Sequence, residues 1–319
     1  MTAAPTLTWT DRSDAGKLGV GGPDALPYLQ ALLTADLARL PVGGGSATAL
    51  LTPRGQVRAL ARVLRTDRGW LLHCERAALE GLFRGLWNGR IGWNVALHKL
   101  TLQQGLVSLV GEAEGLRAAL AAAVPASAPA PSKALALAHA EEHAHLPTDI
   151  AGIPVRAVRA WAGLDLVVRA DHVPRLLAAL AAGGASPLDG CGWEALRIAN
   201  GRLLYGADAS DATLPAELAL DGATVATDKG LYPGLQTVLR QQRSGTVHRR
   251  ICHLHADHAL LAAGDELTAA DGRAAGRVTS ALAFDGLGVV RASAGERLVH
   301  APTGTPLRAE PLAHAAPSL

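Results

Sequence analysis

The sequence predicts an α+β protein followed by a small carboxy-terminal β-barrel, and three observations carry that expectation. Helix-like and strand-like periodicities succeed each other in mixed order through the longer, first part of the chain, without the strict alternation of a doubly wound sheet. Beyond about Gly245 the texture changes to short runs parted by the turn pairs Asp271-Gly272, Gly276-Arg277 and Asp285-Gly286, as closely spaced short strands require. Between Pro125 and Pro131 the chain holds only Pro, Ala and Ser, side chains too small to pack a core, so this stretch marks a seam. The expected division is a module over residues 1–242, with two subdomains meeting near 125–133, and a barrel over 243–319.

The elements follow in order. Leu26, Leu29, Leu32 and Leu33 recur at helical spacing after Gly22-Pro23-Asp24, which predicts a helix to about Ala35 with Asp24 serving its free amino-terminal N–H groups. From Ala47 to Cys74 the period shortens to two, with Val57, Ala59, Ala61 and Val63 facing inward against Gln56, Arg58 and Arg62 on the polar side. Thr66-Asp67-Arg68-Gly69 turns the chain before a strand at Trp70–His73. Helices are expected over Arg76–Trp87 and Ala113–Val124, with a strand at Leu106–Val110 between them. After the seam come a strand at Leu164–Arg169, a helix from Asp171 to the Gly183-Gly184 pair, and a helix over Trp193–Asn200 ending at Gly201.

Composition narrows the function. At 319 residues the chain is long enough for two or three units, and 49% hydrophobic against 18% charged residues describes a globular protein. Its 3 cysteines, Cys74, Cys191 and Cys252, form no CxxC pair, which excludes a disulfide scaffold, a four-cysteine metal site and a thioredoxin-type motif. A net charge of +2 gives no electrostatic reason to expect nucleic acid or an anionic membrane. No run reaches the roughly 20 apolar residues of a membrane span, and MTAAPTLTWTDRSDAGK lacks an apolar signal core. The expected location is the cytoplasm.

Most chemistry-bearing patterns are incomplete. Gly16-Lys17-Leu18-Gly19-Val20-Gly21-Gly22 matches neither phosphate-loop register, and Gly43-Gly44-Gly45-Ser46 does not open a helix pattern. His139, His143 and His145 lie near Glu142 without the HExxH order, and His253 and His255 share a strand face without further ligands, so both clusters read as solvated histidines and no metal site is expected. Arg240, Arg243, His248, Arg249 and Arg250 form a basic run with no interleaved aromatics, a solvated hairpin leading into the barrel rather than a stacking platform for nucleic acid. No GxSxG elbow nominates a serine nucleophile. The most informative segment is Thr227-Asp228-Lys229-Gly230-Leu231-Tyr232-Pro233-Gly234-Leu235-Gln236, where glycines bracket a lysine and a tyrosine at the domain junction, a place where ligands bind.

This loop resembles the KGCYxGQE signature of the YgfZ group within the glycine-cleavage T-protein-like, folate-binding superfamily. Other stretches fit the family's order: Gly22–Gln30 through Leu33–Leu37, Thr52–Gln56, Trp193–Ile198, Leu204-Tyr-Gly-Ala-Asp208, Arg243–Arg249 and Gly276–Ser280. The resemblance covers nearly the whole chain. It implies a T-protein-like module of interlocked α+β subdomains, a carboxy-terminal β-barrel and a central channel for tetrahydrofolate or a derivative. It further implies support of iron-sulfur enzymes or their assembly machinery and of tRNA modification. In that channel Lys229 is the expected cation, Tyr205 and Tyr232 supply rings and hydroxyls, Asp208 an acceptor, and Gln236 and Arg240 polar wall; the signature loop itself comprises Lys229, Gly230, Leu231, Tyr232 and Gly234.

Departures from the family pattern are equally specific. Leu231 stands where the family has a cysteine, and a hydrocarbon neither ionises nor forms a mixed disulfide. The helix-end pattern Arg-(Leu/Ile)-Glu-Ala-Gly becomes Arg197-Ile198-Ala199-Asn200-Gly201, so the carboxylate that resembles a pterin anchor is a methyl here, with Asn200 the nearest polar stand-in. Gln236 replaces the signature's final Glu, and Arg54–Ala59 holds no acid where aminomethyltransferases need one. The expectation is a YgfZ-like folate binder with no catalytic residue and without the thiol-dependent step. The alternatives are a folate-dependent aminomethyl or one-carbon transferase, and a protein-interaction module that has lost folate.

Overall fold

The computed structural model describes residues 7–112, 115–116, 136–313 and 315–318. The seam near 125–133 and nearly all of the helix expected over Ala113–Val124 lie outside them. Two sheets pack face to face. The first runs, in spatial order, β3 (Gly45–Leu51), β4 (Val57–Thr66), β5 (Gly69–Cys74), β2 (Gly16–Gly21) and β6 (Ala96–Lys99). The second runs β11 (Ser186–Pro187), β1 (Thr8–Asp11), β7 (Gln104–Val110), β10 (Gly163–Arg169), β9 (Ile153–Ala160) and β8 (His145–Ile150). All neighbours are antiparallel except β1 with β11.

Alternation explains the layering. On β10, Leu164, Leu166 and Val168 join the cluster under α3 (Val173–Ala182), whereas Asp165 and Val167 face the first sheet. On the first sheet's other side lie α1 (Ala25–Leu32) and α2 (Leu79–Gly89); α2 buries Leu79, Leu82 and Leu86 at helical spacing. Each such leucine contributes about 1.5–3 kcal/mol of burial. The Tyr28 hydroxyl donates to the Leu86 carbonyl at 2.5 Å and ties the two helices together.

Three expectations fail here for physical reasons. Asp24 does not cap α1: its carboxylate accepts the Asn94 N–H at 2.8 Å, and the helix stops at Leu32 because Leu33 is extended and bridges Leu50. Arg62 is not on a polar side. Both faces of β4 are covered, and Arg62, fully buried, points at the second sheet, where Nη1 meets Asp165 Oδ2 at 2.5 Å and Nε donates to His73 Nδ1 at 3.1 Å. Ser108 donates to the other Asp165 oxygen at 2.6 Å. Burial alone would raise the Asp165 carboxyl, yet Arg62 and Ser108 hold it below the ordinary range. Of the first histidine cluster His139 is exposed, but His143 and His145 are buried, not solvated: His143 sits at φ +73° and His145 opens β8. Burial lowers both imidazoles to about 4.

Two further helices are α4 (Gly190–Ala199), which starts earlier than expected because Asp189 accepts the Gly192 N–H at 2.7 Å, and α5 (Leu235–Ser244). Arg240 and Arg243 lie on α5, so the basic run is half helix rather than a hairpin. After it comes a closed six-stranded barrel of β13 (Arg249–His255), β16 (Asp285–Arg291), β15 (Ala274–Leu282), β14 (Glu266–Ala269), β17 (Arg297–His300) and β18 (Thr305–Pro311). The chain then returns to the module: β19 (Ala316–Pro317) pairs in parallel with β12 (Arg202–Leu203). Ser318 is fully buried; its carbonyl accepts from Arg12 Nη1 at 3.3 Å and Trp161 Nε1 at 3.1 Å, and its hydroxyl bonds Glu75.

Candidate functional site

The signature loop is held by backbone approach on one side and by polar contacts on the other. Gly230 and Gly234 have φ of +100° and +84°, conformations that L side chains resist. Gly234 lies so close to the β3–β4 turn that a Cβ there would stand 2.7 Å from Gly55 Cα and 2.8 Å from the Thr52 carbonyl oxygen. Two stretches singled out in the sequence, Thr52–Gln56 and Lys229–Gln236, are thus one packed unit.

Lys229 Nζ donates to the Gln30 carbonyl at 2.5 Å and sits 5.2 Å from the Tyr232 ring centroid. Burial lowers its pKa to about 8, against the raising effect of Asp36. The rest of the loop is fastened to the same α1–β3 segment. Arg39 pairs with both Asp36 and Asp228, at 2.8 and 3.2 Å, and Thr34 Oγ1 donates to the Thr224 carbonyl at 2.6 Å. Tyr232 is buried, its hydroxyl donating to the Ala226 carbonyl at 2.9 Å, and burial pushes it up to about 12. Leu231, by contrast, is 79% exposed.

The other predicted residues divide among different surroundings. Tyr205 is half-buried against two core clusters, and burial raises its hydroxyl. Gln236 and Arg240 face solvent from α5 and, with Arg243 and Ser244, line a shallow depression of about 570 Å³. Asp208 is fully engaged inside: Arg197 Nη1 at 2.7 Å, the Leu204 N–H at 2.9 Å, Thr279 at 2.6 Å and Ser280 at 2.7 Å. Because Thr279 and Ser280 belong to β15, this carboxylate welds the module to the barrel. Ala199 is exposed at the end of α4, and the Asn200 amide is turned back to the Leu196 carbonyl at 2.8 Å, so it does not replace the missing carboxylate. The structure therefore joins Lys229 and Tyr232 in one contact, groups Gln236 with Arg240, and assigns Asp208 to the frame.

Chemically, the loop offers a cation with N–H groups to spare, which suits an anionic ligand, and it lacks a thiol. Among the described residues no group of three or more His, Cys, Asp or Glu is placed to hold a metal ion. Sequence reasoning missed the buried Arg62–Asp165–His73 cluster and the Trp161–Trp193 pair, whose ring centroids are 5.2 Å apart with the Arg12 guanidinium 4.4 Å over Trp193. One signal was available, an acid inside the apolar run Leu164–Val168.

Residues 4–229 match the GCVT N-terminal domain and residues 248–316 the CAF17 C-terminal beta-barrel domain. Among curated relatives the chain is 25% identical over 271 residues to an aminomethyltransferase of Rubrobacter xylanophilus, covering 85% of this chain and 70% of that protein. It is 29% identical over 245 residues to an aminomethyltransferase of Shouchella clausii, covering 74% and 64%. The fold is that of the glycine cleavage system aminomethyltransferase T from Bartonella henselae, with a TM-score of 0.81 at 18% identity over 97% of this chain and 86% of the other. With its amino-terminal module and its barrel both accounted for, the chain belongs to the GCVT N-terminal domain family and carries a CAF17-type carboxy-terminal barrel.

Proposed function

We propose that this protein is a YgfZ/CAF17-type binder of tetrahydrofolate or a derivative that supports iron-sulfur enzymes and tRNA modification from the cytoplasm without a thiol-dependent step. The joining of a GCVT module to a CAF17-type barrel carries the reading, since the curated aminomethyltransferases account for the module's ancestry and the barrel points to the YgfZ branch. The residues fit such a ligand in part. Lys229 and Arg240 are cations for folate carboxylates, and Tyr205 and Gln236 keep free polar atoms or ring surface; the Asp208, Tyr232 and Asn200 groups are already engaged. Without the pterin carboxylate at position 199, one charge-assisted contact of about 1.5–3 kcal/mol is absent, so affinity is set one to two decades below that of a member with the acid.

Calorimetric titration with tetrahydrofolate tests the reading: saturable binding that weakens in Lys229→Met supports it, and no heat at millimolar ligand refutes it. Aminomethyl transfer remains a second reading on the strength of the two curated relatives' names. Formation of methylenetetrahydrofolate from an aminomethyl donor would establish it.

A further inference from the structure

A second cleft, of about 470 Å³, opens between the module segment around Ala207–Glu217 and the outer face of the barrel. Its size is in the range of small-ligand sites. Three guanidinium groups project into it from neighbouring strands on one barrel face. Arg249 of β13 stands directly opposite Arg291 of β16, and Val289, on the same face two residues before Arg291, stands opposite Arg277 of β15. Like charges placed directly across a sheet destabilise it unless a counter-charge intervenes.

The acids in the same wall supply little of it. Asp208 is consumed by its four internal donors. Glu217 is consumed by Arg249, at 2.9 and 3.4 Å, and by the Leu214 N–H at 2.9 Å. Arg277 and Arg291 have no acidic partner within 4.0 Å among the described residues, and the only uncommitted acid of the lining is Glu266, in register with Arg277. Two free guanidinium groups against one carboxylate leave the cleft positive, with Gly264 and Gly276 also in its lining.

We infer that this cleft is a binding site for a small molecule bearing phosphate or carboxylate groups, held bidentately by Arg277 and Arg291 across the module–barrel junction. Guanidinium forks match both anion types in geometry and in charge. The site is separate from the signature loop, so it stands whether or not the protein binds folate. The test is calorimetric titration of the full chain at low ionic strength with inorganic phosphate and, separately, with citrate. The comparison variants are Arg277→Gln/Arg291→Gln and Arg68→Gln/Arg175→Gln, the latter removing the same charge from exposed positions elsewhere. Saturable binding of either probe, weakened by roughly tenfold or more in the first variant and not in the second, supports the site, and the preferred probe identifies the anion class. Absence of binding to both probes at about 10 mM, or equal weakening in the two variants, overturns it, because equal weakening is what diffuse surface charge produces.

Discussion

Position 199 is where a single side chain has most leverage over the proposed ligand. Ala199→Glu restores a carboxylate at an exposed helix end where nothing must move. It is expected to tighten tetrahydrofolate binding by about tenfold to a hundredfold, read by titration. An unchanged affinity would mean that the ligand does not reach α4. Leu231→Cys is expected to be structurally neutral, given its exposure, and to yield a thiol that titrates with a maleimide reagent. Inside, Asp165→Ala leaves the Arg62 guanidinium buried without its counter-ion and is expected to cost about 3–5 kcal/mol in denaturant unfolding. At this scale the sequence was legible where a motif carried conformational meaning, as for Gly230 and Gly234, which take the positive φ that glycine permits. It was not legible for Asp208, because an acid that receives a ligand and an acid that receives the protein's own Arg197, Thr279 and Ser280 look alike until the chain is folded.

Elements were readable to the extent that one of their faces was polar. Helix α2, with three leucines on one side, lies where periodicity put it. Strand β4 defeated the same reasoning: a strand covered on both faces has no polar side, so Arg62 was placed outside although it faces a second sheet. His143 and His145 were misjudged for a related reason, since a turn at His143 through φ +73° carries the chain into β8 and both imidazoles end up buried rather than solvated. The loop-to-turn contact gives a prediction for whole elements. Gly234→Ala combines a positive φ with a Cβ 2.7 Å from Gly55 backbone, so the signature loop must lift off the β3–β4 turn. Gly230→Ala meets no atom within 4 Å and pays only for its φ. Hydrogen exchange across residues 227–236 is expected to accelerate in Gly234→Ala and much less in Gly230→Ala; equal responses would show that strain, not close approach, governs the loop.

For the whole molecule, acidity is the natural stress. His73, His143 and His145 are buried and their folded pKa values are lowered, to about 4 for the last two, by burial first and by Arg62 or Arg156 among nearby charges. The unfolded chain therefore binds more protons than the native one below about pH 6.5. The stability these imidazoles contribute is complete above that value and declines as pH falls toward 4, by up to about 1.4 kcal/mol per pH unit for each. His255, exposed and paired with Asp285, acts in the opposite sense but is screened by water. Denaturant midpoints measured across that window are expected to fall steadily, and a flat profile would show that the histidines are hydrated. The return of the chain at Ser318 has a consequence in time. Ser318 follows Glu75 by 243 residues, which at about 5–20 residues per second is roughly 10 to 50 s of synthesis. For that interval Glu75 waits on the nascent chain without the segment that covers it, and Arg12, made earlier, waits longer, so this junction closes only long after its first side chains are made.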